Sequence, residues 1–413
     1  MSELRADRRF DFDISARAGD AQAGELNING TVLQTPNLFP VMNFYAGGME
    51  RSVYGGGIHR TVKELMIGAD RVGIEPLTQY FDATMMSVSS ITDYNISRER
   101  YEDYLSAPIK QRDVFEPFSG LVFTDSGGFK FLNDAEFDGS DFEVEMNQRT
   151  VYEIQEAFGS DIIVNLDHPI TPGDSQKERI RKAKLTAENI HEFLSVSRNF
   201  GGAKYLTLHG YNYSMMDEFL GAVTDEVPEG VIREGFDGIA LGSLVPKKDN
   251  RGALIKAVSD CRELMDEWGM SEWPLHVLGI SSRAIPLLVG LGADTFDSST
   301  HLHNAINGKY SRSLMERVPK DEVDFSKCDC PVCQSDLLVK RMKGNAEYQK
   351  DILGPIAVHN LIIHKREIAD IRQRINQNGT DALIEYFEET FSRDKTMRRF
   401  AHDVVNESLG GYF

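Results

Sequence analysis

Short runs of β-branched and apolar residues recur along the chain, each followed by enough residues for a helix before the next begins. Eight such runs stand out: TPNLFPVMNF from Thr35, ATMMSVSS from Ala83, GLVFTDSG from Gly120, SDIIVNLD from Ser160, AKYLTLHG from Ala203, FDGIALGS from Phe236, PLHVLGIS from Pro274 and ADTFDSS from Ala293. Their length and composition predict buried strands. Between them lie RTVYEIQEAFG, KERIRKAKLTAENIHEFLSVSRNF, YSMMDEFLGAV, ALIKAVSDCRELMDEWG and SRAIPLLVGLG, with apolar residues at three- and four-residue spacing, which predicts amphipathic helices. Eight strands alternating with helices predict an α/β chain folded as a (β/α)8 TIM barrel. A doubly wound sheet would also alternate, but the first strand is followed by no Gly-rich dinucleotide fingerprint. The barrel is expected to occupy residues 1–320. Residues 321–413 would form a zinc-binding and helical region packed on it.

Polar residues interrupt this pattern where the apolar runs stop: Asp125, Asp167, His209, Ser243 and Asp297. Asp and Ser often follow strands only to cap the next helix. In a closed parallel barrel, however, all five ring the C-terminal mouth and converge on one pocket.

Each of these strand ends carries its own chemistry. In FTDSGGF, Asp125 and Ser126 precede two glycines that let a ligand approach the backbone, and Phe129 offers a ring to stack on a flat heterocycle. Asp167, in VNLDHP, is placed to accept two N–H donors from an edge such as N1 and the exocyclic amine of guanine. His209 with Gly210, or the Gly242 amide beside Ser243, can donate to a carbonyl oxygen on the same ring. Asp297 supplies a second carboxylate to face Asp125. Such pairs divide into a nucleophile or charge stabiliser and a proton carrier, so glycosidic chemistry at an anomeric carbon is expected.

Composition narrows the setting. The formal charge of −19 argues against a protein that holds nucleic acid through its overall field. The segment 339–413 differs, with twelve basic against eleven acidic residues. Its Lys340, Arg341, Lys343, Lys365, Arg366, Arg372, Arg374, Arg393, Lys395, Arg398 and Arg399 are either a solvated helical face or phosphate contacts. No apolar run approaches a membrane span and the charged start is no secretory signal, so a cytoplasmic protein without membrane association is expected. Three of the four cysteines fall in C-D-C-P-V-C. Cys328, Cys330 and Cys333 with His359 make a tetrahedral Zn2+ set with no open position, hence a structural one. His364 is the lesser candidate for the fourth ligand, and Cys261 reads as a core thiol.

Taken together, AGELNINGTVLQTP with Pro40–Val41, TDSGGF, the Asp167 strand end, LGSLVP, FDSS and the C-x-C-x2-C…H pattern resemble the guanine transglycosylase superfamily. These zinc-containing barrels exchange a polynucleotide guanine for a 7-deazaguanine. LVP, FDSS, CDCPVC and HNLIIHKREIADIR are most similar to the archaeosine-type branch. The resemblance implies that Asp297 is the nucleophile at C1′, Asp125 the general acid/base, Asp167 the reader of the guanine edge, Phe129 the stacking ring, and the Gly242 amide the partner of the carbonyl oxygen. It also implies that the target nucleotide leaves its stack.

Where the family shows DSGGFQ or DSGGYQ, Gln-Gly after strand five and Gly-Gly after strand six, this chain has Lys130, His209-Gly210 and Gly242-Ser243. With its last residue at Phe413, the chain is also expected to lack the additional RNA-binding domains of the archaeal tRNA enzymes. Both features are similar to the paralogues that insert 7-cyano-7-deazaguanine into DNA, so DNA is the expected polymer and tRNA the alternative. A homodimer or partner subunits would fit either. A non-catalytic, nucleic-acid-binding subunit would not need both Asp125 and Asp297, and a metal-dependent hydrolase would need a His-rich mouth.

Overall fold

The computed structural model describes residues 10–42, 56–67, 74–75, 77–92, 97–112, 115, 118–128, 144–247, 250–280 and 282–408. Three strands open the chain, β1 (Phe10–Ala18), β2 (Ala21–Ile28) and β3 (Thr31–Thr35), paired antiparallel in that order. The eight expected strands follow: β4 (Asn37–Pro40), β5 (Ala83–Ser87), β6 (Leu121–Asp125), β7 (Ile162–Val164), β8 (Ala203–His209), β9 (Gly238–Gly242), β10 (Leu275–Val277) and β11 (Thr295–Ser298). Neighbours pair in parallel from β5 through β11, and β11 pairs in parallel with β4. A bridge between Val41 and Met85 joins β4 to β5 and closes the barrel. Helices lie between successive strands, among them Gln148–Ala157, Gln176–Val196, Tyr213–Thr224 and Arg251–Glu267. Each of these four begins at an Asn or Ser whose side chain accepts a backbone N–H of the first turn.

The antiparallel sheet explains how the barrel interior is sealed. Leu26, Ile28 and Leu33 are fully buried among the inward-facing Phe39, Met85, Phe123, Val164 and Tyr205, so the sheet belongs to the barrel's inner core. β1 alternates half-buried and exposed residues, as a strand with one face on protein and one on water must. Gln22 ties this sheet to β11 by donating to the buried Asp294, which also meets the Arg262 guanidinium. The inner plug leaves the opposite, C-terminal mouth as the open end.

After the barrel come a short hairpin, β12 (Lys309–Ser311) with β13 (Arg317–Pro319), and a helical run Gln349–Phe391 broken at Gly379. That run packs on the helices Gly56–Ile67 and Thr300–Ile306 and on β1 and β4. Lys365 is buried within it. Its ammonium donates to the Leu38 carbonyl at 2.9 Å and also meets Asn37 and the Asp82 carboxylate. Arg372 caps the Gln34 and Pro36 carbonyls, Arg366 holds Tyr80 and Asp329, and Arg374 pairs with Asp370 and Glu389. Three cations considered for phosphate contact, Lys365, Arg366 and Arg372, therefore fasten this segment to the rest of the protein, and a fourth, Arg374, is paired within the run. Lys340, Lys343, Arg393, Lys395, Arg398 and Arg399 are exposed. Among the described residues, no helix is long and apolar enough to cross a membrane.

Candidate active site at the barrel mouth

A cavity of about 160 Å³ opens at the C-terminal ends of the strands, lined by Asp125, Ser126, Gly128, Asp167, His209, Gly242, Ser243 and Asp297. Apolar walls come from Val164, Val245, Pro246 and Leu278. Asp125 is the last residue of β6, His209 of β8 and Gly242 of β9, while Asp297 lies one residue before the end of β11. Barrel closure thus gathers groups separated by up to 172 positions, from Asp125 to Asp297. Gly210 is not among the lining residues: a Cβ there would run into Met216, so this glycine serves helix packing. Phe129 and Lys130 lie outside the described residues.

Asp125 and Asp297 occupy different environments. The Asp125 carboxyl is pushed up to about 7, first by burial and further by the charges of Asp297 and Asp167. Hydrogen bonds from Ser87 and from the Gly127 amide, the latter at 2.8 Å, oppose the shift without cancelling it. A carboxyl poised near neutrality can both give and take a proton. Asp297 Oδ1 accepts the Gly279 amide at 2.7 Å and lies 3.3 Å from His276 Nε2. These contacts fall on Oδ1 and fix the carboxylate, leaving Oδ2 for a substrate. His276 is fully buried beneath it, with Nδ1 2.9 Å from Thr295 Oγ1 and its ring edge-on to Phe123. Sequence reading missed this histidine. Its one signal is a lone imidazole inside the apolar strand PLHVLG, at the inward register of Thr295.

Asp167 stands three residues beyond β7, on a segment held by surrounding side chains. Leu166 donates to Gln148 Oε1 at 2.7 Å, and Asn189 donates to the Leu166 carbonyl at 3.1 Å. Burial alone would raise the Asp167 carboxyl, but the neighbouring His209 and the Ser126 hydroxyl hold it below the usual carboxylate range. It therefore stays ionised as an acceptor. Gly128 packs so closely against it that a Cβ would fall 2.4 Å from Oδ1, so only glycine fits there.

The two unusual residues of this mouth, His209 and Ser243, are bonded to each other. Ser243 Oγ accepts the Ile170 amide at 2.9 Å and lies 2.9 Å from His209 Nδ1. The Ser243 hydroxyl thus links the Ile170 amide to the His209 ring, and the imidazole tautomer sets which of the two atoms donates in the second contact. Nε2 sits 3.0 Å from Asp167 Oδ2, a close contact outside hydrogen-bond alignment. Ser243 holds φ +65°, where glycine is at ease and serine is strained. Its two hydrogen bonds offset that strain. Gly242 leaves room for the imidazole, since a Cβ there would meet His209 Cε1 at 2.8 Å.

Away from the mouth, the donor atoms of Cys328, Cys330, Cys333 and His359 lie within 4.8 Å of one another, and this group can hold a metal ion. His359 Nε2 is 2.8 Å from the Ser311 carbonyl, which takes its proton and turns Nδ1 toward the three sulfurs at 3.2–3.7 Å. Tyr310 stacks on the imidazole with centroids 3.7 Å apart. His364 is buried elsewhere with both ring nitrogens unpaired among the described residues, and burial pushes its pKa well below the usual value.

The sequence profile of the family described as TGT, queuine tRNA-ribosyltransferase, matches residues 85–393. The chain is 25% identical over 399 residues to the tRNA-guanine(15) transglycosylase of Pyrococcus abyssi, covering 92% of this chain and 57% of that protein. Its counterpart in Methanocaldococcus jannaschii is also 25% identical, over 91% of this chain and 51% of the relative, and that of Haloarcula marismortui is 24% identical, over 91% and 67%. The chain thus spans a little over half the length of the Pyrococcus relative.

Proposed function

The chain belongs to the queuine tRNA-ribosyltransferase family, and from that premise we propose that it is a pentosyltransferase exchanging guanine in a polynucleotide for a 7-deazaguanine. The observation that carries this reading is the meeting of Asp125, Asp167 and Asp297 in one mouth cavity, with the Asp125 carboxyl pushed up and the Asp167 carboxyl held down. Asp167, ionised, accepts the N1 and exocyclic amine protons of the base, and the Gly242 amide faces its carbonyl oxygen. Asp297 Oδ2 attacks C1′. As the new C1′–O bond forms, the C1′–N9 bond breaks, its electron pair goes to the base, and Asp125 delivers a proton to the departing guanine. The incoming base then gives its N9 proton to the Asp125 carboxylate, N9 attacks C1′ and Asp297 is released.

Polymer identity is a separate matter. The expectation from sequence was DNA, and what now supports tRNA is that the matched relatives are tRNA-guanine(15) transglycosylases. We take tRNA as the polymer and 7-cyano-7-deazaguanine as the incoming base. Zn2+ suits the Cys3His group, whose donor types and spacing fit a closed tetrahedral site. Bound there, it would fasten the 328–333 loop to the Gln349–Phe391 run, far from the reaction.

The test is incubation of the purified chain with labelled guanine and with tRNA or duplex DNA, followed by a chase with 7-cyano-7-deazaguanine. Label entering tRNA and lost in the chase is expected. Label entering DNA alone would assign DNA as the substrate, and label entering neither would refute the exchange reaction.

A further inference from the structure

A second chamber of about 630 Å³ adjoins the base cavity and shares Asp297, Gly279 and Val245 with it. Three arginines line this chamber: Arg251 from the start of the Arg251–Glu267 helix, Arg283 from the turn after β10, and Arg317 from β13. Among the described residues that line it, Asp297 is the one carboxylate, beside His303 and the neutral Ser299, Thr300 and Asn304.

Arg317 is the informative member. It is half-buried, its Nε and one terminal nitrogen are shielded from solvent, and neither has a hydrogen-bond acceptor among the described residues. Arg283 reaches Asp394 at 3.4 Å through one terminal nitrogen, while its Nε is buried with no hydrogen-bond partner among the described residues. Burial, and then the neighbouring Arg283 and Arg251 charges, lower the Arg317 pKa. A shielded, uncompensated guanidinium is costly, and a protein retains one where a ligand supplies the missing charge. The geometry points to this chamber as a phosphodiester-binding subsite, in which Arg317 and Arg283, with Arg251, hold a backbone phosphate next to the nucleotide whose C1′ meets Asp297.

This assignment rests on the exchange reading and extends it. It gives a protein of net charge −19 a local means of gripping a polyanion, and it places that grip beside the barrel mouth rather than on the exposed C-terminal cations. It also separates polymer from base recognition: the first cavity reads the ring, the second reads the backbone charge. The enzyme would then discriminate against a free nucleoside, which fills one chamber and leaves the other without its anion.

The experiment measures polymer affinity against salt concentration for the wild-type chain, Arg317→Ala and Arg317→Lys, beside the affinity of each for free guanine. Arg317→Ala should weaken polymer binding about tenfold and reduce the slope of log K against log salt by about 1, with guanine affinity unchanged. Arg317→Lys, which keeps the charge but not the fork, should restore most of the slope. A methylphosphonate beside the target guanine should weaken binding to the wild type and not to Arg317→Ala, and the wild-type arm reads the subsite even if the alanine variant does not fold. Unchanged affinity and slope in Arg317→Ala, with exchange intact in the wild type, would overturn the subsite alone. Inorganic phosphate that stabilises the wild type but not Arg317→Ala, without competing with the polymer, would assign the chamber to a free anion and also overturn it. Failure of the wild type to exchange guanine in either polymer is the separate result that defeats the underlying reading.

Discussion

The Asp125 carboxyl is the group whose behaviour can be worked out furthest. Moving a carboxyl from 3.8 to about 7 favours its neutral form by about 4 kcal/mol, with burial as the first cause and the Asp297 and Asp167 charges adding to it. Because the folded protein holds this proton more tightly than the unfolded chain, the group adds stability that is complete below about pH 4. That stability is lost as pH rises through about 7. The perturbation is therefore pH itself, with Asp125→Asn as the control. In a single-turnover assay of guanine release, the wild-type rate should be flat below neutrality and fall about tenfold per pH unit above about 7, since departure of the base needs the protonated acid. Capture of the incoming base should show the mirror dependence. Asp125→Asn should abolish both steps and, by removing a carboxylate that is costly to ionise, melt higher than the wild type at pH 8. A release rate independent of pH between 5 and 9, or an Asp125 titration near 4 by carbon-13 carboxyl NMR, would refute the reasoning.

Three further outcomes follow from other parts of the molecule. Ser243→Ala should cost about 2 kcal/mol in denaturant unfolding, because it leaves φ +65° without the bonds to Ile170 and His209, whereas Ser243→Gly should be nearly neutral. Lys365→Ala should lower stability by about 3 kcal/mol while leaving the polymer affinity of the folded fraction unchanged, since its ammonium is spent on Leu38, Asn37 and Asp82. Cys330→Ser, or prolonged chelation, should remove about one metal equivalent per chain by elemental analysis and lower the melting temperature of the C-terminal region.

The barrel was legible because each of its strands is an apolar run long enough to be buried on both faces, and the mouth because polar residues mark where those runs end. Asp125, Asp167, His209, Gly242, Ser243 and Asp297 could therefore be grouped before any coordinate was known. The sealing sheet β1–β3 escaped notice because β1 is only half-buried, so that Phe10, Phe12 and Ile14 alternate with Asp and Ser and read as neither core nor helix. His276 was passed over because one imidazole in an apolar strand carries no period. The three arginines of the second chamber come from segments up to 66 residues apart, from Arg251 to Arg317, and only the fold adds them together. Lys365 and Arg372 misled in the other direction: charge composition cannot tell a solvated cation from one buried against carbonyl oxygens.

The central claim is that Asp297 forms a glycosyl ester while Asp125 carries the proton. Intact-protein mass spectrometry of the chain, denatured after mixing with a guanine-containing polymer, tests it most directly. The wild type should carry the added mass of the polymer less guanine, and Asp297→Asn should carry none while still binding guanine. An adduct that persists in Asp297→Asn, or maps to another residue in the wild type, would contradict the account.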